Sequence, residues 1–509
     1  MGEVIKKGLF KTEDWLTVWL GFFIIVLVLV GVRPQMPTFK WVTAGEFNAT
    51  AAKSKLGVEK LIKDAGGKGE TNLLTAATAL QAAIDTGDRT AIGRAAKKLG
   101  DVAKTTNDSG LKEKGGNISK KISGDAGALV SKVFSGENIL WSIYIGIAYL
   151  ILSAIGIGLI GGRVGAFIVG FPVVYVLAWL SQFIAGNSTI HYWGLEYVVF
   201  ALLIGLFISN VLGVPDWLKE AVRTEYYIKT GLVILGGGIL FFEILQAGAI
   251  GIVQAVLVVF IVWYVCFWLA RKLRVDDEFA VMLSTGVSIC GVSAAIAACG
   301  AIQGDKKKLS YVISLILIVA VPMMVLEPWI AKALSIPDII AGAWLGGTLD
   351  TTGSVVAAGA LISEPAMKVG TIVKFSQNVL IGVAAFLLAI WWTFKRGTET
   401  RERPSVKVIW ERFPKFVLGF LIASFVFSFL LNPGLVKETK GILTGLRTVW
   451  FALAFTSIGL GARFTELVRM EGGRPAAAFI AAQAFNVVWT LILAYLLFGG
   501  VLFPTPVIQ

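Results

Sequence analysis

The sequence predicts an all-α polytopic membrane protein: two inverted five-helix repeats with crossed discontinuous helices, extra N-terminal helices and a small helical soluble module. Three observations carry this reading. The 509 residues are 56% hydrophobic and 16% charged, more apolar than a globule with a hydrated surface can be. Apolar runs of bilayer-crossing length follow one another through most of the chain. Within some of those runs, small and hydroxyl-bearing residues gather where a helix at membrane depth can open onto a protein-walled cavity.

The first apolar run, Trp15 to Val32, follows Lys6, Lys7 and Lys11 without a small-residue cleavage site. It reads as a retained transmembrane helix, residues 1–32, rather than a signal peptide. Residues 33–138 are hydrophilic, mostly helical and poor in aromatics. Two helices stand out there, 71–84 and 88–105; the second has Asp88 as its N-cap and apolar residues at Ala91, Ile92, Ala95, Ala96, Leu99 and Val102. Its basic residues are dispersed, a solvated face rather than a nucleic-acid surface.

Apolar spans then follow at about 139–160, 164–184, 193–213, 229–247, 249–270, 279–301, 310–333, 337–361, 367–392, 415–432, 444–461 and 476–503. The first two are accessory helices within 139–192. The remaining ten divide into repeat 1 (193–334) and repeat 2 (335–509). The alignment that supports the repeat sets Asn210 and Lys229-Thr-Gly231 against Asp350 and Lys368-Val-Gly370, and Val287–Gly291 against Thr456–Gly461. Each suspected break is then the fourth helix of five, and an odd number of helices inverts the second set.

A net charge of +13 has its source in loops. Arg163, Lys219, Arg223, Arg271, Lys272, Arg274, the run Lys395 to Lys415, and Arg463, Arg469 and Arg474 share one side if the N-terminus is cytoplasmic, the positive-inside pattern. Lys306-Lys307-Lys308 is the exception, and the 33–138 module becomes extracytoplasmic. The expected location is the plasma (inner) membrane of a bacterium, with a homodimer permitted. Cys266, Cys290 and Cys299 lie in or beside apolar spans without paired spacing, and a single histidine, His191, excludes a histidine metal cluster. No Ser-His-Asp, metal-ligand or phosphate-loop constellation is present, so an enzyme is not expected, and no cofactor is.

The candidate substrate-binding residues are those at the suspected breaks: Ser288, Ile289, Cys290, Gly291 and Ser293, with Ser284, Thr285 and Gly286 before them, and Thr456, Ser457 and Gly459. Small residues at such positions also serve close helix packing. A broken helix presents amides at one half-helix start and carbonyls at the other end; the amides suit anions and the carbonyls suit cations. Asp350-Thr351-Thr352 lies well inside an apolar span, where a carboxylate is costly and faces a polar interior. These three are candidates for coupling to H+ or Na+. Lys374, two turns into the next span, either pairs with Asp350, attracts an anion or snorkels. Glu243 and Glu327, nearer span ends, read as interface anchors.

The motifs Ser288-Ile-Cys-Gly-Val-Ser-Ala-Ala-Ile296, Val355-Val-Ala-Ala-Gly359 and Thr371-Ile-Val-Lys374, in that order, resemble the YeiH-like sulfate exporter family over roughly residues 140–505. The resemblance implies a crossed-helix transporter of the bile-acid symporter and sodium/proton antiporter type, exporting an inorganic sulfur oxyanion or a sulfonate-like small anion. Two departures bear on coupling and specificity: the family pattern has a His-Glu pair where Asp350-Thr351 stands here, and a glutamine at Ser354. The leading expectation is a secondary transporter working by alternating access on a small inorganic or organic anion. The alternative is a channel-like or sensor protein whose external module binds a signal or partner.

Overall fold

The computed structural model describes residues 12–192, 195–396, 407–462 and 473–508, whose regular secondary structure is helical apart from an isolated bridge between Trp41 and Asn187. Lys6, Lys7, Lys11, Arg463 and Arg469 lie outside the described residues. In chain order, α1 is Glu13–Leu29, followed by α2 Ala44–Gly67, α3 Thr71–Thr86, α4 Arg89–Thr105 and α5 Ser109–Gly127. Then come α6 Gly136–Leu159, α7 Val164–Ala185, α8 Tyr197–Phe207, α9 Thr224–Gly236 and α10 Phe241–Lys272. Next are α11 Asp277–Thr285, α12 Val292–Ile302, α13 Lys306–Ala333, α14 Asp338–Thr348, α15 Thr352–Ile362 and α16 Glu364–Arg396. The last are α17 Lys415–Phe425, α18 Pro433–Gly461 and α19 Arg474–Phe498.

Seven helices among the described residues, within α6, α7, α10, α13, α16, α18 and α19, are long and apolar enough to cross a membrane. Large apolar side chains on this surface, such as Phe242, Phe260 and Trp329, are more than 60% exposed. A surface of that kind belongs against lipid. The protein is a polytopic α-helical membrane protein.

The chain forms two compact units, one of residues 1–34, 146–181 and 198–509, the other of residues 35–145 and 182–197. The smaller unit has its own core, in which Phe47, Val58, Leu61, Leu73, Leu80 and Leu99 are almost fully buried. Asp88 caps α4 as expected, accepting from the amides of Thr90 and Ala91. Two helices that composition concealed flank the expected pair. The α2 helix is set by a Thr43–Glu46 capping box. In α5, one of the glycines that suggest a weak helix serves contact with α4: a Cβ on Gly115 would reach 3.0 Å from the Ala103 Cβ. Arg89 locks the unit by donating to the carbonyls of Val42, Asp125, Ala126 and Ala128 at 2.7–3.1 Å.

Burial alone would raise the pKa of Glu46, but hydrogen bonds from Thr189, Thr43 and Asn187 more than reverse this and hold it at about 2, against an ordinary 4.5. A carboxyl depressed on folding adds stability that is full above 4.5 and lost as the pH falls through about 2. The smaller unit is therefore expected to lose hydrogen-exchange protection across that acid window, and Glu46→Gln should flatten the dependence. An unchanged profile in the variant would contradict the assignment.

Two expected boundaries are corrected. The spans 229–247 and 249–270 are instead α9 and the single long α10, with the turn at residues 237–240. Gly236 ends α9 pressed against the Phe420 carbonyl, which a Cβ would approach to 2.4 Å; Gly248, in the expected gap, faces Ile372 within unbroken helix. The second correction concerns the breaks. The expected pair was Val287–Gly291 with Thr456–Gly461, each in the fourth helix of five. Thr456–Gly461 instead closes the continuous α18. The second interruption is Leu349–Thr351, between α14 and α15. The breaks thus fall in the fourth helix of 193–334 and the first of 335–509, so the alignment does not pair them.

Candidate functional site

The first break begins where α11, capped by Asp276, widens into a π-type turn over Gly286–Cys290. Gly291 then takes φ 62°, ψ −112° and starts α12. Only glycine adopts that backbone without strain. The position is also too tight for a side chain, because a Cβ would lie 2.8 Å from both the Asp350 carbonyl oxygen and the Ile316 Cγ2. The two breaks therefore touch at Gly291 and Asp350. At the second break, Leu349 and Thr351 are extended, and the Thr351 hydroxyl caps α15 by accepting from the Ser354 amide at 3.0 Å.

Carbonyls released by an open helix need donors at this depth. They come from two helices, α16 and α19. Lys374 donates to the Ile289 carbonyl and, at 2.9 Å, to Gln377 Oε1. Gln377 Nε2 lies 3.2 Å from the carbonyls of both Ser288 and Gly347 and so straps one break to the other. Asn486 Nδ2 reaches the Val287 and Gly347 carbonyls at 3.4 and 3.5 Å and is itself held by Thr490. Gln483 donates to the Thr348 carbonyl at 2.8 Å.

The opposite ends of the broken helices are only partly capped, the Ser354 amide by Thr351 and the Ala294 amide by the Cys290 thiol. The first amides of α12 and α15, each a helix of 11 residues, have no intrahelical acceptor. Val292 and Ser293 of one and Thr351 and Thr352 of the other line a single cavity of about 250 Å³. Cys290 and Asn378 also line it. Asn378 donates to the Thr352 hydroxyl at 3.1 Å, while its Oδ1 is buried and accepts nothing among the described residues. The charged lining consists of Asp14, Glu225, Lys229 and Glu411. Side chains occupy the carbonyls of the breaks, whereas residues at the N-termini of α12 and α15, where the positive ends of two helix dipoles lie, line the cavity.

The expected residues therefore separate into groups. Cys290, Ser293, Thr351 and Thr352 reach the cavity, while Ser288 and Ile289 are buried in the break and contribute carbonyls. Lys374 is 1% exposed. It neither snorkels nor meets the cavity, and its ammonium is taken by Ile289 and Gln377. Asp350 is equally buried, and both carboxylate oxygens lack a donor among the described residues; of the alternatives open for Lys374, a hydrogen bond to Asp350 is not made. Thr456, Ser457 and Gly459 lie outside the cavity lining. Thr456 bonds to Ala452 in its own helix, and Gly459 serves packing, its Cβ position being 2.6 Å from the Leu202 carbonyl oxygen. Glu327 is no interface anchor: it is 2% exposed and accepts from the Thr348 hydroxyl at 2.7 Å, beside the second break. Glu243 is likewise buried, 4% exposed, and caps the start of α10 by accepting from the Leu240 amide.

Sequence reasoning missed Gln483, Asn486 and Thr490, and the cavity residues Asp14, Glu225, Lys229 and Glu411. The first three recur at helical spacing on one face of an apolar helix, a legible signal of a polar seam.

A multi-pass membrane protein with two broken helices meeting at a polar seam is the class that fold and site define. Residues 169–478 match the family described as Conserved hypothetical protein 698. The chain is 42% identical over 370 residues to a UPF0324 membrane protein of Rhodopirellula baltica, covering 70% of this chain and 68% of that one. It is 41% identical over 362 residues to a UPF0324 membrane protein of Nitratidesulfovibrio vulgaris, covering 68% of this chain and 62%, under two thirds, of the relative. A Nitrosomonas europaea UPF0324 membrane protein is 30% identical over 374 residues, 63% of this chain and 76% of its own. The chain belongs to this family of bacterial membrane proteins, the YeiH-like one its motifs resemble. No solved structure matches it.

Proposed function

We propose that the protein is a secondary transporter of a small oxyanion, of the sulfate, sulfite or sulfonate class, working by alternating access in the bacterial inner membrane. One observation carries the reading: the N-termini of α12 and α15 line one cavity, while side chains of α16 and α19 cap the carbonyl ends of the partner half-helices. An anion there gains amide donors and two dipole ends without neutralising a cation first. The volume of about 250 Å³ accommodates a sulfonate-sized ligand with water.

Coupling to H+ or Na+ is assigned to Asp350. A buried carboxylate without donors costs several kcal/mol, which a bound proton or cation removes. Its backbone touches Gly291, so loading the carboxylate bears on the junction itself. The acidic lining adds to the same case, because an anion admitted beside Asp14, Glu225 and Glu411 is better tolerated with a co-carried positive charge. The basic loops favour a cytoplasmic N-terminus, and export follows the family resemblance.

Purified protein in liposomes is expected to carry sulfite, sulfate or methanesulfonate saturably, with the rate set by an imposed pH or Na+ gradient. Asp350→Asn should keep exchange of anion for anion and lose at least about tenfold of the gradient-driven component, one coupled charge being worth that much. Gradient-driven flux unchanged in the variant would remove Asp350 from coupling.

A further inference from the structure

We propose that the N-terminal helix carries a built-in competitor for the anion: Asp14 occupies Lys229, the cation of the cavity lining, and an arriving anion must exchange with it. The inference rests on the cavity being an anion site. Among the described residues that line it, Lys229 is the one cation. Its ammonium lies 2.7 Å from Asp14 Oδ1, with Glu225 at 3.6 Å and Glu13 at 3.7 Å, and 5.8 Å from the centre of the Phe416 ring.

Asp14 is not a loose terminal group. It sits in the first turn of α1, where the helix dipole favours a carboxylate. The helix is seated on the bundle. Leu16, Val18, Leu20, Ile24, Ile25 and Val28 are buried, and a Cβ on Gly21 would come within 2.6 Å of Val233 of α9. The competitor is therefore held on the same helix, α9, that carries Lys229. The matched family region begins at residue 169, so α1 is an addition to that core, and it places two carboxylates beside the core's lysine.

A carboxylate and a sulfur oxyanion offer the ammonium the same chemistry: charge-assisted hydrogen bonds from N–H to anionic oxygen. While Asp14 holds Lys229, the lining has three carboxylates and one ammonium, and the half-helix N-termini alone attract an anion. Displacing Asp14 transfers that ammonium to the ligand. On this account α1 raises the anion concentration at which the cavity fills.

The test uses the full-length protein in detergent, with Cys290→Ala and a probe cysteine at Ser293, which is exposed and lines the cavity. Modification by the anionic sulfonatoethyl methanethiosulfonate is measured relative to the neutral methyl reagent, so that changes in thiol reactivity or folding cancel. Asp14→Asn is expected to raise the ratio about threefold to tenfold, the range for one partly screened charge within a cavity, and Lys229→Gln to lower it. The acceleration from Asp14→Asn should vanish in the Lys229→Gln background. An equal acceleration with and without Lys229 would show a plain field effect and overturn the proposal, as would no acceleration at all. A probe cysteine at Ile296, also in the lining, repeats the measurement if Ser293→Cys does not fold. Because the readout is cavity charge, absent flux would defeat the transport reading and leave this result standing.

Discussion

Gly291→Ala is expected to abolish anion flux and to destabilise the purified protein by about 3 kcal/mol, measured by thermal unfolding. Two costs add. A residue with a Cβ held at positive φ loses roughly 1–2 kcal/mol, and forcing an atom into a filled site costs roughly 1–3 kcal/mol more. The filled site is specific: the added methyl would stand 2.8 Å from the Asp350 carbonyl oxygen. Relief means separating the breaks or straightening the first one, and either displaces α12 from the cavity. If the alanine variant keeps flux and stability, the contact between the two breaks has no functional part.

The second large effect is expected at Gln377. Gln377→Leu conserves the approximate volume while removing the donor shared by the Ser288 and Gly347 carbonyls and the acceptor used by Lys374. Asn486 still serves Gly347, but Ser288 loses its side-chain donor. A buried carbonyl left unmet costs about 1–3 kcal/mol, and the loss of the lysine's acceptor adds to it. Unfolding of the purified variant should show a loss of about 2–5 kcal/mol, with flux reduced in parallel. Gln377→Glu separates the roles, since a carboxylate keeps the acceptor for Lys374 and supplies no donor to the carbonyls. Equal behaviour of Gln377→Leu and wild type would mean that other groups hold the breaks together.

The first break was legible because its signals are local. Gly286 and Gly291 flank hydroxyl and small residues in a run otherwise long enough to span, and the backbone opens there. The second was visible for another reason: Asp350-Thr351-Thr352 stood out as a carboxylate at depth, not as an interruption. Its capping hydroxyl, Thr351, is the feature that also identifies a helix start. Thr456–Gly461 misled because small residues in membrane helices serve close packing as readily as opening, and Gly459 against Leu202 is the packing case. Lys374 is visible as a lysine within an apolar span, but its role depends on which carbonyl lies opposite, a tertiary fact. The same holds for Lys229 and Asp14, 215 residues apart: neither is unusual in its own segment, and only folding brings them to one cavity. The module's α5 is obscured because glycine lowers helix propensity, whereas α4 fills the space that Gly115 leaves.

On the proposed function, the two half-helix N-termini hold an anion. The direct measurement is the thermal stability of the detergent-solubilised protein against a panel of sulfite, sulfate, methanesulfonate and chloride, in wild type and in Asn378→Leu. Asn378 lines the cavity and supports Thr352, yet caps none of the break carbonyls. At least one sulfur oxyanion is expected to raise the melting temperature of wild type in a saturable way, as mass action requires, and chloride is not expected to match it. Asn378→Leu should shift that saturation to higher anion concentration. Stabilisation by no anion, or by all four equally in both proteins, would contradict that function.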